Sequence, residues 1–296
     1  MCRGIVLSRD RFIPRIHLFE FEDQSWFPVS IRDGLTDSMQ FFVNFFGHYR
    51  HIIKHILRVL RFSKTRRIID LGSGGGGPWT SLYRLVEEEK DISVEICLTD
   101  KYPNIDALSW AQRASNNKIH YYPEPVDSMQ VAVELEGFRT LFSSLHHFPP
   151  NQARAILADA VKKGQGIGVF EFLMRTPFAI LFMCFSPIAV LIMTPFIRPF
   201  KWTRLIWTYP IPIIPLLACF DGIVSCLRIY SPLELRKLTE GLSDFEYTWE
   251  IGYESAFPSP FPVTYLIGYP AEKGKMLKQV KVGNSHLSSK TDEIKT

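Results

Sequence analysis

Residues 66–79 read Arg66-Arg67-Ile68-Ile69-Asp70-Leu71-Gly72-Ser73-Gly74-Gly75-Gly76-Gly77-Pro78-Trp79. Ile68 and Ile69 end a short apolar strand, Asp70 stands at its C-terminal tip, and the glycine run then turns the chain into a helix. Pro78 suits the first helical position, where no backbone N–H is required. Glycine lets the backbone approach a nucleotide closely, at the strand ends where open α/β sheets hold their ligands. Taken literally, Gly72, Gly74 and Gly77 spell the GxGxxG of dinucleotide sites, a weak signal alone. Asp70 argues against that reading, because its carboxylate would face a pyrophosphate and like charges repel. A cofactor carrying a sulfonium and an ammonium would instead be attracted.

The stretch Asp70-Leu71-Gly72-Ser73-Gly74-Gly75-Gly76 resembles the first motif of the class I S-adenosylmethionine-dependent methyltransferases. The resemblance continues in order: Ser93–Thr99 alternates into a second strand ending at Asp100, Lys118–Tyr122 reads as a third, Phe138–Ser144 as a fourth and Gly166–Phe172 as a fifth. A helix from Asn151 to Lys163 precedes the fifth strand. Ser231-Pro232 opens another, and Tyr247–Tyr253 with Val263–Tyr269 close the sheet as an antiparallel pair. The fold expected is α/β, a Rossmann-like, seven-stranded, mostly parallel sheet with an antiparallel last strand, an N-terminal helical cap and an apolar insertion after strand 5. The resemblance implies S-adenosyl-L-methionine as cofactor, held by Asp70, Gly72, Ser73, Gly74 and Gly76. It places Asp100 on the ribose hydroxyls, with Lys101 beside it, Asp127 at the adenine amino group and Ser144 at the fourth strand's tip. Two carboxylate oxygens suit two adjacent O–H donors.

Five segments follow from this: a helical lid over 1–64, the cofactor-binding core over 65–174, an apolar insertion over 175–230, the rest of the core over 231–270, and a disordered tail over 271–296, rich in Lys, Ser and Thr. One elaborated domain accounts for 296 residues, 46% of them hydrophobic. The net charge of +4 is scattered rather than gathered into an aromatic-interleaved basic stripe, which argues against nucleic acid. An acid- or amide-led Pro-Pro-Tyr motif for nucleobase amines is also absent. Cys2, Cys97, Cys184, Cys219 and Cys226 show no metal spacing and read as reduced, buried thiols of a cytosol-facing protein. Oligomeric state stays open.

Met1–Phe21 has no unbroken apolar run and is not a signal peptide; Asp10, Glu20, Glu22 and Asp23 speak against a transit peptide. Residues 36–63 have the apolar periodicity of an amphipathic helix pair, with Trp26-Phe27-Pro28 and Ile31-Arg32-Asp33 ahead of it as lid or packing residues. His51 and His55 have the i, i+4 spacing of a zinc pair, but neither an intervening glutamate nor a third ligand accompanies them. With His48 they read as solvated or hydrogen-bonded histidines, and no metal site is expected.

Thr176–Ile197 and Leu205–Phe220 carry no charge, and Arg198, Lys201 and Arg204 lie between them beside Trp202 and Trp207. The first run has the length of a span, about 20 residues. Crossing would place three basic residues on the far side, against the positive-inside tendency, and Pro177, Pro187 and Pro195 interrupt a straight helix. An insertion over 176–220 that dips into one leaflet, with the three basic residues at anionic headgroups, fits better. An apolar cap over the site, or a dimer contact, is the other reading. Both imply a hydrophobic small-molecule or lipid acceptor. The protein is then cytoplasmic, or peripheral or monotopic on the cytosolic membrane face.

Methyl transfer from a sulfonium needs the nucleophile held near attack distance, about 3 Å, and an oxygen or nitrogen acceptor gains from a base. The candidates are His146 and His147 after the fourth strand, Glu171 at the end of the fifth, and Asp221 at the apolar boundary with Arg228 as its expected partner. Two other classes remain: an inactive membrane-docked scaffold, and an NAD(P)-dependent reductase, which Asp70 opposes.

Overall fold

The computed structural model describes residues 13–62, 65–89, 93–242, 247–257 and 259–271. Cys2 and the tail beyond 271 lie outside them. Seven strands form one sheet: β1 (Arg67–Leu71), β2 (Glu95–Thr99), β3 (Ile119–Tyr121), β4 (Phe138–Phe142), β5 (Ile167–Glu171), β6 (Tyr247–Glu254) and β7 (Val263–Pro270), in the order β3-β2-β1-β4-β5-β7-β6. β1 to β5 run parallel, while β7 is antiparallel to β5 and to β6. The expected sheet is therefore present, each strand within two residues of its expected limits.

The central strands read as continuous apolar runs because both faces are covered. Ile68 packs with Ile52, Ile56, Leu60, Trp79 and Phe138 on one face. Ile69, the next residue, points the other way and packs with Leu141, Ile156, Leu157 and Leu235. α2 (Ile53–Phe62) and α3 (Trp79–Glu87) cover the first face; α5 (Pro150–Lys162) and α10 (Pro232–Thr239) cover the second. α4 (Ile105–Ala114) links β2 and β3, capped by the Asn104 side chain on Ala107 N–H. A full capping box, Ser231 with Glu234, starts α10.

α1 begins at Val29, earlier than the periodicity suggested, and ends at Phe45. Ile31-Arg32-Asp33 thus belongs to the helix itself. Its apolar face meets the insertion, which folds as α6 (Pro177–Met183), α7 (Ser186–Met193), α8 (Trp202–Thr208) and α9 (Ile213–Arg228). Phe27, Ile31 and Leu35 share one cluster with Val190 and Ile214. α1 lies so close to α9 that a Cβ on Gly34 would overlap Ile214. The lid and the insertion are one helical layer in space.

The expected basic loop is corrected here. Arg204 is 2% exposed and paired with buried Asp37 at 2.5 Å, and Lys201 sits between Asp33 at 3.4 Å and Asp106 at 3.4 Å. Both side chains turn inward, toward carboxylates of α1 and α4, and only Arg198 faces outward. The apolar side of the insertion behaves otherwise. Pro177–Phe196 is a 20-residue run of mean hydropathy 2.2 with 22% of its most apolar window buried. Phe178, Ile188, Ile192, Phe196 and Trp202 are each more than half exposed. Cys184 is also exposed, against the buried state expected of it, because it lies on this outer face.

Candidate active site

The glycine run makes a turn that other residues resist. Gly72, Gly74, Gly76 and Gly77 all have positive φ, at +70°, +52°, +109° and +53°, a region closed to most side chains. Pro78 caps the helix one position ahead of its first turn, and Trp79 begins it. Asp70, 1% exposed, accepts from the Thr140 hydroxyl at 2.6 Å and the Ser73 hydroxyl at 2.7 Å. Burial raises its carboxyl to about 6, the two hydroxyls opposing that rise. Asp100 ties the turn to β2: its Oδ2 accepts from Gly74 N–H at 2.7 Å and its Oδ1 from Tyr102 N–H at 2.8 Å.

These residues line one end of a cavity of about 660 Å³, within the range of small-molecule sites, about 300–1,000 Å³. Asp70, Gly72, Ser73, Gly74, Asp100, Lys101 and Ser144 all reach it. Gly76 and Asp127 do not. Asp127 turns back to accept Met129 N–H at 2.8 Å, and its neighbour Ser128 lines the cavity in its place. The cavity then runs under α1 to α6, α7 and α9, where Phe182, Met183, Val190, Met193 and Gly222 form apolar walls.

At the tip of β4, Ser143 adopts φ +46°, a strained conformation held by the Tyr49 hydroxyl at 2.6 Å. The turn beyond it places His146 and His147 side by side, ring centroids 4.3 Å apart. Glu171 does not reach the cavity. It stands behind His146, taking its backbone N–H at 3.2 Å and its Nδ1 at 2.9 Å.

Sequence reading overlooked the strap over residues 13–28, which crosses α9 and fills this corner. Ile16 N–H bonds the Leu227 carbonyl at 3.0 Å, and Arg228 holds the Leu18 carbonyl. Glu20, fully buried, then meets Arg228 at 2.7 Å and His147 Nδ1 at 2.8 Å; Asp23 meets the same pair at 2.6 and 2.9 Å. Arg228 therefore pairs with the strap, and Asp221, its expected partner, accepts Phe21 N–H at 3.2 Å instead. Burial disfavours the charged His147 ring, yet Glu20 and Asp23 outweigh it and hold the imidazole protonated, so it is no free base. Burial lifts the Asp221 carboxyl to about 6 and Glu22, beside other carboxylates, to about 8. The available signal was three acids within four residues amid Phe19, Phe21, Trp26 and Phe27.

The histidines of the first helices lie elsewhere. His55 pairs with Glu254 at 2.8 Å and His51 contacts the Phe257 carbonyl at 3.3 Å. His48 is neither solvated nor hydrogen-bonded: it is 5% exposed among Phe42, Phe46 and Phe172, its Nδ1 unpaired, and burial lowers it to about 4.

The sheet order and the glycine turn at β1 define a Rossmann-like α/β fold with an antiparallel β7. No family model matches the sequence, and no curated relative does. Among solved structures the chain is similar to a candidate O-methyltransferase of Nostoc punctiforme, at 12% identity and a TM-score of 0.45 over 82% of this chain. It spans 61% of that protein's length. It is also similar to magnesium protoporphyrin IX methyltransferase of Synechocystis with bound S-adenosylhomocysteine, at 12% identity and TM-score 0.41, covering 82% of this chain and 86% of the other. A third, human N-acetylserotonin methyltransferase in complex with S-adenosylmethionine, has 13% identity and TM-score 0.44, covering 79% and 56%. The functional reading rests on the site's own residues.

Proposed function

We propose that the protein transfers a methyl group from S-adenosylmethionine to a hydrophobic small molecule or lipid, at the cytosolic face of a membrane. The observation that carries this is the continuity of one cavity, from the Asp70–glycine–Asp100 end to the apolar helices of the insertion. The donor set fits the cofactor. Asp70 is a buried carboxylate without a cationic partner among the described residues, suited to a sulfonium and ammonium. Asp100 uses one lone pair of Oδ2 on Gly74 N–H and one of Oδ1 on Tyr102 N–H, and retains the others for two ribose hydroxyls. Bound there, S-adenosylmethionine supplies an electrophilic methyl on sulfur.

The chain's residues then shape and dry the far end. Phe182, Met183, Val190 and Met193 exclude water and select an apolar acceptor. Asp221, which lines the cavity and whose buried Oδ2 has no hydrogen-bond partner, is the candidate to take a proton from an acceptor oxygen or nitrogen. Glu171 and His146 act as positioning residues, the first fixing the ring of the second. The exposed apolar run of the insertion supports docking on lipid through side chains alone, without Lys201 or Arg204.

Calorimetry of the full chain in mild detergent tests the first step. Micromolar binding of S-adenosylmethionine with none of NADH is expected; NADH binding alone, or binding of neither, overturns the reading. Label transfer from methyl-labelled cofactor into the chloroform-soluble fraction of a membrane extract tests the acceptor class, and label recovered only in water-soluble products overturns that part.

A further inference from the structure

Glu20, from the strap, and His146 and His147, from the tip of β4, each offer one ligating atom, and all three atoms lie within 4.8 Å of one another. We propose that these side chains bind one divalent transition-metal ion, with its open positions facing the acceptor end of the cavity. Two imidazoles and one carboxylate with vacant positions form a recognised donor set for such ions.

The geometry around each histidine supports this. Glu171 grips His146 through both the backbone N–H and Nδ1, leaving Nε2 with its lone pair free. Metal-bound histidines are oriented in this way, the second ring nitrogen donating to a carboxylate. His147 is more unusual. Its Nδ1 lies 2.8 Å from Glu20 Oε2 and 2.9 Å from Asp23 Oδ1, two carboxylates that favour the protonated ring, so a bound ion would take the place of that proton between the same groups. Such crowding is the spacing of neighbouring ligands around an ion: bonds of about 2.1 Å at right angles place donors about 3 Å apart.

Charge gives a second, independent reason. Glu20, Asp23, Glu171 and Asp221 gather at this corner beside Glu22, whose carboxyl is lifted to about 8; among the described residues Arg228 is the one guanidinium bonded to these carboxylates, and the His147 ring faces Glu20 and Asp23. Arg15 is engaged by the carbonyls of Arg228 and Phe148. Asp221 is 5% exposed, lines the same cavity, and its Oδ2 has no partner. Surplus buried negative charge is costly, and a divalent cation offsets it. The ion's role rests on the methyl-transfer reading; its binding does not. Held by Glu20, His146 and His147, such an ion would supply Lewis-acid activation of an acceptor hydroxyl, and Asp221, lining the same cavity, would be the candidate to take the proton.

The test uses the chelator-stripped full chain titrated with Mn²⁺, free ion read by electron paramagnetic resonance and cofactor affinity measured on the same sample. One ion per chain is expected, with pulsed spectra showing two coordinated imidazole nitrogens. Glu20→Gln and His146→Gln should each weaken uptake at least tenfold while cofactor affinity holds within threefold, and His48→Gln should change neither. A chain that binds cofactor but takes up neither Mn²⁺ nor Zn²⁺ overturns the proposal, as does uptake unaltered by both variants. An alkylammonium probe that binds the corner when no ion does also overturns it, in favour of a cationic acceptor. Ion uptake without cofactor binding would leave the site standing and remove the methyl-transfer reading.

Discussion

Burial raises the Asp70 carboxyl to about 6, against an ordinary aspartate near 4. The sign of the consequence follows directly. Between those values the folded chain holds a proton that the unfolded chain has released, so Asp70 favours the folded state at low pH. That contribution is lost as pH rises from about 4 through 6, by no more than about 3 kcal/mol. A cationic cofactor needs the ionised form, so its affinity runs the other way. S-adenosylmethionine affinity should be flat above pH 7 and fall roughly tenfold per unit below 6; Asp70→Asn should bind weakly at every pH. Calorimetry between pH 5 and 8 reads both. Asp100, proposed for the ribose hydroxyls, ties Gly74 and Tyr102 through their backbone N–H groups. Asp100→Ala should therefore cost about 1–2 kcal/mol of stability, as well as a hundredfold or more in cofactor affinity. An unchanged cofactor isotherm for this variant would move the nucleotide site elsewhere.

Among the elements, α1 and α8 are joined by the buried pair Asp37–Arg204, which Asn104 and Lys201 extend. Breaking a buried pair from one side strands a charge, whereas replacing both partners need not. Arg204→Met alone should lose about 3–5 kcal/mol in urea unfolding, and Asp37→Asn in the same chain should restore most of it. If the double variant is as unstable as the single, the loss lies in packing around the Arg204 stem instead. Because Thr36 and Asp37 abut the glycine turn, where a Cβ on Gly74 or Gly75 would meet them at 3.2 Å, this pair also fixes the roof of the cofactor end.

At the scale of the whole molecule, the insertion presents Phe178, Ile188, Ile192, Phe196 and Trp202 on its outer face while its inner face walls the cavity. An exposed patch of this kind marks an interaction site. Ile192→Glu with Trp202→Glu should lower partition onto vesicles of zwitterionic lipid at least tenfold in flotation assays, with cofactor affinity unchanged. Equal flotation of the two proteins would leave the apolar face to a second copy, which sedimentation would detect as a dimer.

The strands, the glycine turn and the order of elements were legible in the sequence because each depends on neighbours within a few residues. Alternation, helix punctuation and positive φ at glycine are local properties. The contacts that complete the candidate site are of another kind. Glu20 meets Arg228 and Ser225 across more than 200 residues, and Lys201 and Arg204 find their carboxylates over a comparable gap. Composition alone made those two a basic loop for headgroups, and made Glu20, Glu22 and Asp23 a mere argument against a transit peptide. Only the packing of α1 and the strap against α8 and α9 decided otherwise, because burying a charge in that layer requires a partner and the fold supplies one from far along the chain.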